Sequence, residues 1–198
     1  HGEGHSFPTR RSSDLGTVLM PDRRDALVPA AELVTLAERL ARESTSDDTV
    51  ATVGKLEVHP GAVNSIPRRA TVSFDVRDTD QAVRDGVVEA LLARAEVLAA
   101  ERHLDVSIRR INADPPAICD PTILEAVEAA SADAGLSCRR LVSRAYHDAL
   151  FMSRVAPTGM IFVPSKDGIS HRPDEFTSEA EIAQGVDVLA RVLARLAA

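Results

Sequence analysis

GKLEVHPGAVNSIPRRATVSFDVRDTD, residues 54–80, carries two strand-like patterns joined by a proline-bracketed loop. In its second half Ala70, Val72, Phe74 and Val76 alternate with Thr71, Ser73, Asp75 and Arg77, the period of two that a half-buried strand requires. Its first half continues a run from Thr49 to Val58 that reads as another strand, with Val50, Thr52, Leu56 and Val58 expected on one face. The connection HPGAVNSIPRR is bracketed by Pro60 and Pro67, which cannot donate to a central ladder and so hold it out as a loop. The two strands are expected to form a wide hairpin.

Helical spacing flanks the hairpin on both sides. From Asp25 to Glu43 the residues Leu27, Ala30, Ala31, Val34, Ala37, Leu40 and Ala41 recur on one face, with Asp25 as the expected N-cap because Pro29 is tolerated only in a first turn. Val83, Val87, Leu91, Ala95 and Leu98 mark a second helix, and Leu104, Val106 and Ile108 alternate as a third strand. The order α-β-β-α-β is that of a ferredoxin-like split βαβ domain lacking its first strand. After ADPP, Ala113 to Pro116, the sequence predicts a helix over about 121–134, a short strand over about 139–142 and a helical turn from His147. The apolar run GMIFVP, Gly159 to Pro164, reads as a strand buried on both faces. A last helix starts at a capping box, Ser178 with Glu181, and carries Ile182, Val186, Leu189, Leu193 and Leu196 on its expected core face. The expected fold class is therefore α/β (α+β), with the part after residue 113 too small to bury a core alone.

Composition narrows the function. Hydrophobic residues make 44% and charged residues 27% of 198, which is ordinary globular usage and excludes disorder. Lys and Arg number 23 against 30 Asp and Glu, a net charge of −7, and aromatics are 3% with no Trp, so neither a phosphate-binding surface nor a base-stacking platform is expected. No stretch approaches the roughly 20 apolar residues of a membrane span, and the expectation is a soluble, cytoplasmic chain. Cys119 and Cys138 have no partner motif for a disulfide or a Cys-based metal site. Residues 1–15 stand apart: His5 to Leu15 reads, codon by codon, like the translation of a sequencing-library adapter. It is expected to be non-native and joined to a longer protein's sequence at about Gly16. His1 and His5 thereby lose any claim as ligands.

The polar residues that stand out lie in loops at strand ends, where sites on a rigid scaffold are found. Asn64 either supports its own loop or binds a ligand, and Arg77 either pairs with Asp75 on its strand face or binds one. His147 with Asp148 is an imidazole oriented by its neighbour or a polar helix start. His171 follows the apolar run and precedes the capped helix, the strand end where open α/β sheets place ligands, but one His is a small part of a metal site that needs three or four side chains. His59 and His103 read as surface positions. No phosphate-binding glycine loop, GxSxG or HExxH occurs.

Four stretches in order, GTVLMPDRRDAL, GKLEVHPGAVNSIPRRATVSFDVRDTD, SRAYHDALFMSRVAPTGMIFVPSKDGISHRPDEFTS and the closing helix, resemble the hydantoinase/carbamoylase branch of the dinuclear metal amidohydrolases. That branch holds N-carbamoyl-L-amino-acid hydrolases, β-ureidopropionases and allantoate amidohydrolases, and is akin to the aminoacylase-type metallopeptidases. The resemblance implies a truncated lid and dimerisation domain over residues 16–113 and the C-terminal part of an α/β metallohydrolase catalytic domain over residues 114–198. It implies that Asn64 and Arg77 bind the substrate carboxylate, that His147 faces the substrate, and that His171 is the last metal ligand. The remaining ligands and the general-base Glu match no position of this chain, so no catalytic residue is assigned. Relatives often have Gly where Arg144 and Tyr146 stand, GTVLM departs from the usual GTTPM, and the His that usually precedes it would fall at Asp14. The implied reaction is hydrolysis of a ureido or amide C–N bond with two divalent ions (Zn, Mn, Co or Ni) in an intact homodimeric parent, the fragment alone being inactive. Alternatives are an aminoacylase or dipeptidase of the same superfamily and a non-catalytic dimerisation module.

Overall fold

The computed structural model describes residues 16–198, so the adapter-like segment lies outside the described residues. The chain divides into two compact units, one ending at Asp114 and the other running from Pro115 to Ala198. No helix among the described residues is long and apolar enough to cross a membrane.

In the first unit, helix α1 (Leu27–Arg42) and helix α2 (Gln81–Glu101) pack on an antiparallel hairpin of β1 (Val50–His59) and β2 (Arg69–Arg77). Asp25 accepts the Leu27 N–H at 2.9 Å, one residue outside the cap position held by Ala26. Asp80 caps α2 by accepting from the backbone N–H groups of Ala82 (2.7 Å) and Val83 (3.3 Å), which satisfies two of the donors that a helix start leaves open. Asp78 ties the preceding turn together by accepting from Ser46, Thr49 and the Asp80 backbone. Ala37 of α1 and Val87 and Leu91 of α2 form the buried centre, with Ala51, Val53 and Val76 of the hairpin against them. Both Nε (3.1 Å) and Nη2 (2.6 Å) of Arg94 donate to Oε1 of Glu32, joining α2 to α1.

The hairpin register corrects the expected faces. Val53 pairs with Phe74 and Lys55 with Ser73, so Gly54 is an extra residue, a bulge. Cross-strand partners share a face, and the bulge therefore puts Ala51, Val53, Leu56 and Val58 together with Ala70, Val72, Phe74 and Val76. Val50 and Thr52 fall on the other face with Lys55, Glu57, Asp75 and Arg77, not with Leu56 and Val58 as strict alternation requires. The third strand is a second correction. Residues 104–112 form no ladder, and the sheet among the described residues has two strands. A strand exists only through a hydrogen-bonded neighbouring strand, and none of the described residues supplies one; the Leu104 N–H instead closes the end of α2 on the Ala99 carbonyl at 2.9 Å, and Val106 and Ile108 are left exposed.

In the second unit, α3 (Pro121–Asp133) and α5 (Glu179–Leu196) pack together, with the one-turn helix α4 (Ala149–Met152) between them in sequence. Asp120 caps α3 ahead of Pro121, whose missing N–H costs nothing at a first helical position. The expected capping box at α5 is present: the Ser178 hydroxyl accepts from the Glu181 N–H, and the Glu181 carboxylate accepts from the Ser178 N–H at 3.0 Å. The core is Val127, Ala130, Val188 and Val192, with Ile123 and Ile161 packed on it. Thus α5 meets α3 through Val188 and Val192, and the predicted core face of Ile182, Val186, Leu189, Leu193 and Leu196 is exposed. The helix is apolar on two sides, and α3 covers only one. Residues 139–142 and 159–164 form no ladder either; Ile161 reaches the core, but Phe162 is 49% exposed, so the run is not buried on both faces.

Candidate functional site

Arg77 ends β2 on the polar face of the hairpin, across from Val50. Its guanidinium forks the Asp75 carboxylate two residues earlier, Nε to Oδ1 at 2.9 Å and Nη2 to Oδ2 at 2.5 Å. That hydrogen bond, opposed by partial burial, holds Asp75 below the usual carboxylate range, and the same pairing raises Arg77. Asn64 is an exposed residue in the turn of the long connection, and its carbonyl accepts the Gly16 N–H at 2.8 Å. The cis His59–Pro60 bond and Gly61 at φ +69° open that connection, and the Arg68 N–H closes it on the His59 carbonyl at 2.9 Å. Asn64 thus stands before the start of β2 and Arg77 at its end, with a strand of about 26 Å between loop base and guanidinium residue.

His147 belongs to the second unit and is half-buried. Its Nε2 lies 2.5 Å from Ser143 Oγ, and its ring meets Phe162 edge-on, with centroids 5.8 Å apart and planes at 61°. Asp148 does not orient the imidazole; it begins the turn of α4, where its carbonyl accepts from Phe151 at 2.9 Å. Arg144 takes φ +57°, a left-handed conformation that glycine adopts without strain. Tyr146 packs edge-on against Phe151 at 5.9 Å, and the Arg154 guanidinium lies 5.3 Å from the same ring, so aromatic and cationic groups border the His147 turn.

His171 lies exposed in a loop tied to itself ahead of α5. The Lys166 N–H donates to the Phe176 carbonyl at 2.8 Å, Thr177 Oγ1 donates to the Pro164 carbonyl at 2.9 Å, and Asp167 and Gly168 turn the chain at positive φ. His171 itself has φ +57°, and its N–H donates to Glu175 Oε2 at 2.9 Å. No group of three His, Cys, Asp or Glu among the described residues is arranged to hold a metal ion. An open concavity of about 320 Å³ between the start of α3 and residues 153–158 contains neither His147 nor His171.

Two contacts of His147, Ser143 and Phe162, were not singled out from the sequence. The Ser143 signal was present as Ser and His four residues apart in SRAYHDA, whereas Phe162 is brought there only by the chain's return.

Known proteins share this architecture. The ureidoglycolate hydrolase of Arabidopsis thaliana is 45% identical over 182 residues, covering 91% of this chain and 38% of that protein. The N-carbamoyl-L-amino acid amidohydrolase of Geobacillus stearothermophilus is 37% identical over 182 residues, 92% of this chain and 44% of its own length. The crystal structure of AtUAH in complex with glyoxylate matches with a TM-score of 0.84 at 44% identity, covering 92% of this chain and 44% of that one. An amidase of the hydantoinase/carbamoylase family from Burkholderia vietnamiensis matches with a TM-score of 0.82 at 39% identity, covering 90% and 43%. The chain therefore spans less than half the length of these relatives. The description "Peptidase family M20/M25/M40" fits residues 19–195, and with these likenesses in sequence and fold it is to this family that the chain belongs.

Proposed function

We propose that this chain is part of a hydrolase that cleaves the C–N bond of a small ureido or N-carbamoyl compound bearing a carboxylate. The observation that carries the reading is the joint likeness to a ureidoglycolate hydrolase and to an N-carbamoyl-L-amino acid amidohydrolase over more than nine-tenths of the chain. Arg77 would orient the carboxylate, since a guanidinium fork matches a carboxylate through two parallel hydrogen bonds, and Asn64, in the loop at the other end of β2, would contact the substrate from there. His147, held by Ser143 and Phe162, would face the scissile group.

In the same reading the first unit is a ferredoxin-like lid that dimerises, and His171 is one ligand of a centre of two divalent ions. The described residues do not complete such a centre, so what this chain supplies is substrate orientation, and alone it turns nothing over. The name of the family keeps an aminoacylase or dipeptidase activity as the second reading. The test is an assay of a full-length protein carrying this sequence, with ureidoglycolate, N-carbamoyl amino acids, N-acyl amino acids and dipeptides compared in the presence of Zn²⁺, Mn²⁺, Co²⁺ or Ni²⁺. Faster hydrolysis of the ureido and carbamoyl compounds is expected, and preference for dipeptides would favour the second reading. Turnover by the 198-residue chain itself would refute the incomplete site.

A further inference from the structure

Three contacts grip His147. Its carbonyl accepts the Leu150 N–H at 3.0 Å, which fixes the backbone at the start of α4. Phe162 stands edge-on to the ring, and Ser143 Oγ reaches Nε2. The serine can reach four residues ahead because Arg144, at φ +57°, reverses the chain between them.

The direction of the Ser143–His147 hydrogen bond follows from what else the hydroxyl does. Ser143 Oγ already accepts the Ala145 N–H at 3.2 Å. Its single hydrogen needs an acceptor, and the unprotonated ring nitrogen of a neutral imidazole is the one this geometry offers. Were Nε2 the donor, the oxygen would receive two hydrogens while its own had no described partner. We propose that Ser143 is the positioning residue of His147: its hydroxyl donates to Nε2 and holds the ring as the neutral tautomer protonated on Nδ1. The ring then presents an N–H, a donor suited to the carbonyl or carboxylate oxygen of a ureido acid. This last assignment rests on the proposed substrate-facing role of His147; the tautomer does not.

Long-range ¹H–¹⁵N spectra of the ¹⁵N-labelled 198-residue chain, in alkaline solution where imidazoles are neutral, read the tautomer directly. The expected result is a His147 Nε2 resonating as an unprotonated nitrogen and Nδ1 as a protonated one. Ser143→Ala is expected to shift the population toward the Nε2–H form, and Ser143→Thr, which keeps the hydroxyl, to restore the original pattern. A merely structural serine would leave the tautomer unchanged in Ser143→Ala, and that result, or Nε2–H in the parent chain, overturns the proposal. Should Ser143→Ala lose its fold, the protonated nitrogen in the parent and in Ser143→Thr decides the matter. A full-length protein inactive on ureido acids would sink the functional reading and leave the tautomer result standing.

Discussion

Arg77 and Asp75 share the polar face of β2, and the guanidinium of one forks both carboxylate oxygens of the other. The Asp75 pKa is lowered by this hydrogen bond, so the pair stabilises the fold above the usual carboxylate range, and that contribution is lost as pH falls through the depressed value. Both side chains are about half exposed, which places the pair among screened surface ion pairs worth about 0.2–1 kcal/mol. Asp75→Asn should lower the denaturation midpoint slightly at neutral pH, with the difference from the parent vanishing in acid. An undiminished difference in acid would mean that the pair is not its cause.

The same fork sets a test of substrate class. In a full-length protein, Arg77→Lys replaces two parallel hydrogen bonds by a point charge, a loss of about 1.5–3 kcal/mol or roughly ten- to hundred-fold in kcat/KM. N-carbamoyl amino acids should lose that factor, and the corresponding amides, lacking the carboxylate, should be nearly unaffected. Equal losses on acid and amide would return Arg77 to a structural partner of Asp75.

Gly54 is the extra residue of β1, and a Cβ there would meet nothing within 4 Å. Deleting it restores strict alternation and leaves Leu56 and Val58 on the helix-facing side, so the deletion should melt close to the parent. Deleting Gly54 and Lys55 together makes Leu56 follow Val53 directly, moves Leu56 and Val58 to the polar face and should cost more than about 1 kcal/mol. Thermal melts followed by circular dichroism separate the two; a single deletion as damaging as the double one would contradict the register.

Gly185 lies on α5 where a Cβ would run into Val163. Alanine gains roughly 0.5–1 kcal/mol of helix propensity, but the overpacking typically costs about 1–3 kcal/mol. Gly185→Ala should therefore destabilise the chain, and Val163→Ala in the same molecule should recover most of the loss. A double-mutant cycle in urea measures this coupling, and additive effects would show that the 159–164 run does not rest on α5.

The Ser178 cap carries the entry of α5. Ser178→Ala should cost about 0.5–2 kcal/mol, and Glu181, held below its usual range by hydrogen bonds from the Ser178 hydroxyl and backbone, should lose the hydroxyl's share of that depression and keep the backbone's. The cap's share from Glu181 is present above the usual carboxylate range and lost as pH falls. Carboxyl ¹³C titration of Glu181 in parent and variant checks this; an unchanged titration would deny the hydroxyl's hydrogen bond to Glu181.

Features made by neighbours along the chain were legible in the sequence: the helices α1, α2, α3 and α5, the cap at Ser178, and the hairpin's loop between Pro60 and Pro67, whereas the cap expected at Asp25 falls to Ala26 and those at Asp80 and Asp120 were not singled out. Capping and helical periodicity act over three or four residues, and a proline acts on its own backbone, so local order suffices to read them. Which apolar residues are covered depends instead on contacts between elements far apart in the chain. Residues 104–112, 139–142 and 159–164 carry strand-like patterns, yet a strand is a property of two segments, and these have no ladder partner among the described residues. In α5 the core side fell to Val188 and Val192 because α3 meets that flank, although the stripe from Ile182 to Leu196 has the stronger sequence pattern. The bulge at Gly54 likewise depends on the register of both strands, and the setting of His147 depends on Phe162, fifteen residues away, returning to its ring.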